Sequence, residues 1–216
     1  MPAVFENILF IMFLCGIAVL AVSLVFYYQF LQRRAFMDMA RRLQFRYYYR
    51  SYAIPKRFAF LWQQRRGKGR HALNILLGRH AGEEAVVFDY CFNTGLGAEK
   101  KWHYCSFTVL HHGKDCPSLR IYPKSMLPGL GNIIGFDEMP LDGSPLVENF
   151  AVFATNEAFA RGILSGPITD YLVRHPDLSL EIDPVWLALG NQQRLVPEDI
   201  PRRLSQVEKV RNALPL

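Results

Sequence analysis

The sequence lacks the short motifs by which catalytic and metal sites are usually recognised. Its 4 cysteines and 6 histidines do not stand in the C-x-x-C or H-x-x-x-H spacing of common zinc sites. Gly129, Gly131 and Gly135 are spaced G-x-G-x-x-x-G without a following Lys-Ser or Lys-Thr pair, which excludes the usual phosphate loop. Ser165 lies outside a G-x-S-x-G nucleophile elbow, and Asp89 has no acid–base partner at a suitable spacing. We therefore expect no cofactor, no metal and no enzymatic activity.

Charge is absent from residues 7–32, and residues 8–26 form a nearly continuous apolar run. A helix that crosses about 30 Å of hydrocarbon needs about 20 apolar residues, because each residue adds about 1.5 Å to its length. The run has this length. We predict that residues 1–32 form a single transmembrane anchor.

A cleaved signal peptide is the competing interpretation of this apolar run. Signal peptides typically begin with positive charge and end in small residues at the cleavage site. Here Glu6 is the first charged residue, and the run ends in Tyr27, Tyr28 and Phe30. Aromatic rings favour the headgroup level of a membrane, so these features favour an anchor.

Acidic residues are nearly absent from residues 31–70, which contain twelve Lys or Arg and one Asp, a net charge of +11. The whole chain carries +6. Lys and Arg beside a spanning helix are retained on the cytoplasmic side. We therefore predict an inner-membrane protein with its N-terminus outside and its C-terminal domain in the cytoplasm. Four irregularly spaced cysteines are consistent with a reducing compartment.

This positive charge, together with the interleaved aromatic residues, predicts a surface that binds membrane or partner. Retention of the anchor's orientation is one interpretation, but it needs only the first few charges. The excess can bind anionic lipid headgroups or another membrane-protein subunit, and proximity to the membrane favours both over nucleic acid. We name the predicted residues the basic collar. They are Tyr27, Tyr28, Arg33, Arg34, Arg41, Arg42, Arg46, Tyr47, Tyr48, Arg50, Lys56 and Arg57.

Residue periodicity predicts an α+β fold, in which the transmembrane helix precedes a cytoplasmic domain with a mainly antiparallel sheet and C-terminal helices. Residues 33–70 form a basic juxtamembrane segment and residues 71–216 form the domain. In the segment, apolar residues at helical spacing predict a helix that ends near Phe45. Pro55 predicts irregular structure over 45–62, and 63–70 reads as a basic loop.

Alternating apolar residues and turn signals predict the strands of this domain. A helical pattern covers 156–173 with a break at Gly166-Pro167, and another covers 197–214. The predicted strands are 71–78, 85–92, 102–111, 118–122, 150–154, 178–182 and 185–189.

Several of these patterned positions resemble a family of uncharacterised bacterial membrane-anchored proteins, a domain of unknown function. The matching features are Phe-Asp-Tyr at 88–90, Asn-Thr-Gly at 93–95, the F-x-V-x-x-x-x-E pattern at 150–157 and L-x-L-x-I at 178–182. The similarity covers about residues 70–212. It implies a fold class and no reaction.

The absence of a recognisable site favours a non-enzymatic accessory or scaffold subunit of a cytoplasmic-membrane protein complex. A membrane-tethered domain that senses a lipid or ligand is the alternative. A metal- or thiol-dependent enzyme is a further one, since a simple hairpin centred near residue 98 would place Cys91 and Cys105 opposite each other.

Overall fold

Eight strands form one sheet in the computed structural model of the protein, which describes residues 2–61, 67–127, 138–141 and 143–214. Side chains of the first helix are described from Met12 onward. The helices are α1 (Pro2–Arg42), α2 (Ile54–Arg57), α3 (Glu157–Leu164), α4 (Pro167–Arg174) and α5 (Ile200–Asn212). The strands are β1 (Arg46–Ser51), β2 (Lys68–His80), β3 (Glu83–Thr94), β4 (Lys101–His111), β5 (Leu119–Pro123), β6 (Phe150–Ala154), β7 (Leu178–Asp183) and β8 (Trp186–Asn191).

The sheet has the order β1-β2-β3-β4-β8-β7-β5-β6, and every neighbouring pair is antiparallel. The predicted α+β class is therefore confirmed. The strands from β2 to β8 occur where the alternating pattern predicts them. The predicted helical break is also found, because α3 ends at Leu164 and α4 begins at Pro167, where the fixed φ of proline suits a first helical turn.

Helices cover one face of the sheet, and a short aromatic segment covers part of the other. The larger core cluster joins the end of α1 with α3, α4 and α5, through residues such as Ile163, Leu172 and Leu204. The smaller cluster packs Phe58 and Leu61, which follow α2, against the other face of β2, β3 and β4. Alternate residues of β3 thus enter different clusters, as a period of two requires.

The last turns of α1 pack directly on the sheet. Phe36 and Ala40 are buried, and the Phe36 ring stacks on the Tyr47 ring of β1 with 6.3 Å between centroids. In the turn that follows α1, the Phe45 ring packs closely against Gly78. A Cβ atom added at Gly78 would lie only 2.6 Å from this ring. Any larger residue at Gly78 would displace this ring. The helix and the domain are thus joined by packing as well as by the chain.

Residues 33–70 contain more regular structure than the sequence predicts. The segment expected to be irregular because of Pro55 contains strand β1, which ends before that proline, and the single turn α2, where Pro55 occupies the first turn. Residues 68–70 belong to β2 rather than to a loop, because they continue the pairing of β2 with β3 as far as Asn93. Residues 62–66 and the glycine-rich segment 129–135 lie outside the described residues.

The predicted pairing of Cys91 with Cys105 is wrong by one residue. In the β3–β4 register Cys91 lies opposite Tyr104, and Cys105 lies opposite Tyr90. A shift of one residue moves a side chain to the other face of a sheet. The two thiols therefore lie on opposite faces, and Cys105 belongs to the smaller core cluster.

Candidate functional site

A cavity of about 310 Å³ lies between α1 and the sheet, on the domain side of the apolar segment. Its walls come from α1, from strands β1 to β4 and from the loop after β8. No acidic side chain is among its lining residues. The lining residues are Gln29, Gln32, Arg33, Tyr49, Arg50, His71, Leu73, Asn74, Cys91, Trp102, Tyr104 and Arg194.

Three arginines from three different elements make this cavity cationic. Arg33 comes from α1, Arg50 from β1 and Arg194 from the loop after β8. The Arg33 guanidinium lies 3.7 Å from the centroid of the Tyr49 ring, and that of Arg194 lies 3.5 Å from the Tyr104 ring. Aromatic faces attract cations and hold them in place. Within the described part of the chain, none of these three guanidinium groups forms an ion pair with a carboxylate, so their charge is available to a ligand.

The floor of the cavity is buried and polar. His71 Nδ1 lies 2.7 Å from the carbonyl oxygen of Gly69, so this nitrogen is the protonated one in the neutral ring. Burial raises the pKa of the Cys91 thiol. A raised pKa disfavours the thiolate, which is the nucleophile and the metal ligand. The floor therefore offers hydrogen bonds and little thiol reactivity.

A buried carboxyl group stands behind the cavity wall. The Tyr47 hydroxyl donates to Asn74 Oδ1 at 3.2 Å, and Asn74 Nδ2 donates to Asp89 Oδ2 at 2.9 Å. The backbone N–H of Leu195 donates to Asp89 Oδ1 at 2.7 Å. Burial raises the pKa of Asp89 to about 6. The hydrogen bonds from Asn74 and Leu195 and the charge of Arg194 oppose this rise only in part. This chain of hydrogen bonds connects β1, β2 and β3 with the loop that carries Arg194.

The structure separates the residues of the predicted basic collar. Arg33 and Arg50 reach the cavity, while Tyr47 is half-buried under α1. Arg57 lies elsewhere and pairs with Glu84 at 2.7 Å. The remaining collar residues are exposed and do not line the cavity. They are Tyr27, Tyr28, Arg34, Arg41, Arg42, Arg46, Tyr48 and Lys56.

Sequence reasoning missed the residues that complete the cavity. Arg194 lies within residues 71–216, which contain 13 basic and 17 acidic residues, so a search for positive segments passes over it. Trp102 and Tyr104 occupy alternate positions of β4 and therefore share one face. That alternation is the only sequence signal that groups them, and it does not connect them to α1.

Comparison with solved structures finds the same architecture in the crystal structure of the mycobacterial trehalose monomycolate transport factor A, TtfA. The two chains superpose with a TM-score of 0.61 and 16% sequence identity, over 84% of this chain and 93% of that chain. The fold resembles that of TtfA. No protein-family model matches the chain, and no curated protein matches it significantly.

The N-terminal helix of this TtfA-like fold is long and apolar enough to cross a membrane. From Met12 to Arg42 it includes an apolar window of mean hydropathy 2.0 that buries nothing against the domain. These properties are consistent with a single membrane anchor or with a signal sequence. Because the identity to TtfA is low, the likeness concerns the fold and does not extend to individual residues.

Two other cavities in the described part of the chain are smaller than the cavity beside α1. A cavity of about 90 Å³ beside α5 mixes Asp177 and Asp199 with Arg202 and Arg203. Another, of about 280 Å³, is lined by residues that include Lys124, Met139 and Phe150. No group of three or more His, Cys, Asp or Glu residues suited to a metal is found in the described ranges. The cationic cavity beside α1 is therefore the best candidate for a functional site.

Proposed function

We propose that the protein is a membrane-anchored, non-enzymatic accessory subunit of a cytoplasmic-membrane complex that serves lipid transport. The observation that carries this proposal is the continuity of α1. One helix of 41 residues, about 60 Å long, runs from the apolar segment into the packed core of the domain. The fold shared with TtfA, a factor named for the transport of trehalose monomycolate, supports the assignment to lipid transport.

The packing of α1 supports an anchor over a cleaved signal sequence. Phe36 and Ala40 lie on the same helix as the apolar segment and belong to the core of the domain. Gln29 and Arg33 stand one to two turns before Phe36 and line the cavity. Cleavage near the end of the apolar segment would cut a continuous helix close to its packed turns. A retained helix instead holds the domain at a fixed distance from the membrane.

Absence of catalysis is part of the proposal. The two strand cysteines that suggested thiol or metal chemistry lie on opposite faces of the sheet. Burial raises the pKa of Cys91 and also that of Cys116, which disfavours their thiolates. These observations favour structural roles for the thiols.

We propose that the domain faces the cytoplasm. The charges that favour this orientation remain at the membrane-proximal end of the domain, since Arg33 and Arg34 follow directly on the apolar helix and both are exposed. Fusion of a reporter to the C-terminus tests the orientation. Green fluorescent protein should fluoresce there and alkaline phosphatase should be inactive, and the reverse pattern would contradict the proposal.

Site-specific photo-crosslinking tests the accessory role. A photoreactive amino acid at Tyr48, exposed on the edge strand β1, should crosslink to a defined membrane-protein subunit in intact cells. The same amino acid at Val173, which is equally exposed on α4, is the matched control and should give no such adduct. Purification in mild detergent as a lone monomer, without a crosslink from Tyr48, would contradict the proposal.

A further inference from the structure

We propose that the cavity beside α1 binds the phosphate of an anionic lipid headgroup. This inference rests on the anchoring part of the proposed function and is independent of any protein partner. It assigns a ligand to one defined site, in place of a general attraction between the basic collar and the membrane.

The membrane-proximal wall of the cavity lies beside the headgroup layer. If residues 8–26 span the hydrocarbon, Gln29 lies about 5 Å and Arg33 about 10 Å beyond Phe26 along the helix axis, at about 1.5 Å per residue. The headgroup layer extends about 5 to 7 Å beyond the hydrocarbon on each side of a bilayer. Gln29 therefore lies within the headgroup layer and Arg33 just beyond it, where a long arginine side chain can extend toward lipid phosphates.

The charge of the cavity selects an anion. Arg33, Arg50 and Arg194 converge from three elements, and the lining contains no carboxylate to neutralise them. Guanidinium groups bind phosphate through paired N–H donors. The rings of Tyr49 and Tyr104 hold two of these groups, which reduces the conformational freedom that binding would remove.

The size and the aromatic lining favour a lipid over a free anion. About 310 Å³ is at the lower end of the range of small-molecule sites, roughly 300 to 1,000 Å³, and it suits a headgroup with its glycerol rather than a whole lipid. Trp102, Tyr49 and Tyr104 are residue types that favour the membrane interface. Inorganic phosphate would use the arginines and leave these rings without a ligand contact.

A binding experiment with the full chain in neutral maltoside micelles tests the proposal. The probe is dihexanoyl phosphatidic acid, with dihexanoyl phosphatidylcholine and inorganic phosphate as comparison ligands, and binding is followed by tryptophan fluorescence. We expect the phosphatidic acid to bind at least tenfold more tightly than either comparison ligand. Equal binding of inorganic phosphate would identify a free anion as the ligand and overturn the lipid assignment.

Matched double variants locate the site. Arg33→Gln with Arg194→Gln removes two charges from the cavity, while Arg34→Gln with Arg42→Gln removes two exposed collar charges outside it. Each arginine near the membrane surface contributes about fivefold to the affinity for an anionic lipid. We expect roughly 25-fold weaker binding for the cavity pair and less than a twofold change for the collar pair. Equal losses would show that binding depends on positive charge in general, and would overturn the assignment of the lipid to the cavity.

Two measurements separate binding from folding and from the accessory role. All four substituted residues are exposed, so both double variants should remain folded and unfold cooperatively in a thermal scan. Arg194→Lys keeps the charge but lacks the planar group above Tyr104, and its affinity should fall between those of the parent and the cavity pair. Absence of phosphatidic acid binding by the parent chain overturns this inference, whereas the crosslink from Tyr48 tests the accessory role separately.

Discussion

Asp89 carries a carboxyl group that is almost completely buried. It is 2% exposed, accepts hydrogen bonds from Asn74 and from the backbone of Leu195, and has no ion pair within the described residues. Burial without a direct counter-ion disfavours the charged form, which is why the pKa of Asp89 rises to about 6. Its hydrogen bonds order the wall behind the cavity. Because burial disfavours the charged form, ionisation of Asp89 lowers the stability of the folded protein.

The stability of the protein should depend on the ionisation of Asp89. Between about pH 4 and pH 6 the folded state keeps a proton that the unfolded state has lost, so the free energy of unfolding falls as pH rises through this range. A shift from 3.8 to about 6 corresponds to about 3 kcal/mol. Asp89→Asn should remove this part of the pH dependence, measured by denaturant unfolding at pH 4, 5, 6 and 7.

Asp115→Asn is the control for this measurement, because Asp115 is exposed. Its pH dependence should match that of the parent chain. A parent-like slope in Asp89→Asn would contradict the assignment of the titration to Asp89, whatever the overall stability of that variant.

The cysteines give a second prediction at the scale of residues. Cys91 and Cys105 lie on opposite faces of the sheet, and the disulfide geometry requires Cβ atoms within about 4.5 Å that point toward each other. Mild oxidation of the folded protein should therefore leave this pair unlinked, as measured by mass spectrometry of unreduced peptides. Formation of a Cys91–Cys105 disulfide without unfolding would contradict the observed register.

Helix α1 has two parts with different surroundings. Its first part is exposed around its whole surface from Met12 to Leu31 and does not pack on the domain. Its last turns bury Phe36 and Ala40, and the spacing i, i+4 places these two residues on one face. Gln29 and Arg33 continue this alignment toward the apolar segment, so the same face that packs on the sheet also forms the cavity roof.

Removal of the Phe36 ring should uncouple the helix from the sheet. Phe36→Ala deletes a 3% exposed side chain that stacks on Tyr47, and such deletions cost about 3 to 5 kcal/mol. Thermal unfolding in detergent should show this loss. Phe30→Ala is the matched control, because Phe30 is 57% exposed on the same helix, and it should leave the unfolding unchanged. Equal behaviour of the two variants would contradict the packing of α1 on the domain.

At the scale of the whole molecule, one sheet joins strands β1 to β4, which line the cavity beside α1, to strands β5 to β8. Strand β4 pairs with β8 rather than with its sequence neighbour β5, which brings the loop after β8 beside β1 to β4. Arg194 and Leu195 reach the cavity wall through this crossover. The cavity is thus a property of the complete domain.

Truncation tests how much of α1 the domain needs. A chain that begins at Gln29 keeps Phe36 and Ala40, and it should unfold cooperatively as a water-soluble domain. A chain that begins at Leu43 loses both contacts and should melt roughly 10 °C lower, since about 3 to 5 kcal/mol shifts the midpoint by 2 to 4 °C per kcal/mol. Calorimetry measures both midpoints. Equal midpoints would contradict a structural role for the end of α1.

Local patterns in the sequence determined the class of the fold and the place of most elements. The uncharged run, the alternation in β2 to β8 and the helical spacing in α5 each act over fewer than thirty consecutive residues, so they can be read without knowing which segments meet. The sequence does not predict strand β1, because Pro55 indicates irregular structure over residues 45–62. The strand ends at Ser51, before this proline.

Only the tertiary structure decided which residues form the cavity. Arg33, Arg50 and Arg194 meet because β1 pairs with β2 and β4 pairs with β8, and periodicity does not encode strand order. The register of β3 and β4 likewise depends on the geometry of the turn at Gly97–Glu99, which set Cys91 opposite Tyr104. Contacts between distant segments follow from the packing of the whole chain, because loop closure and core burial select one pairing among many that the local pattern allows.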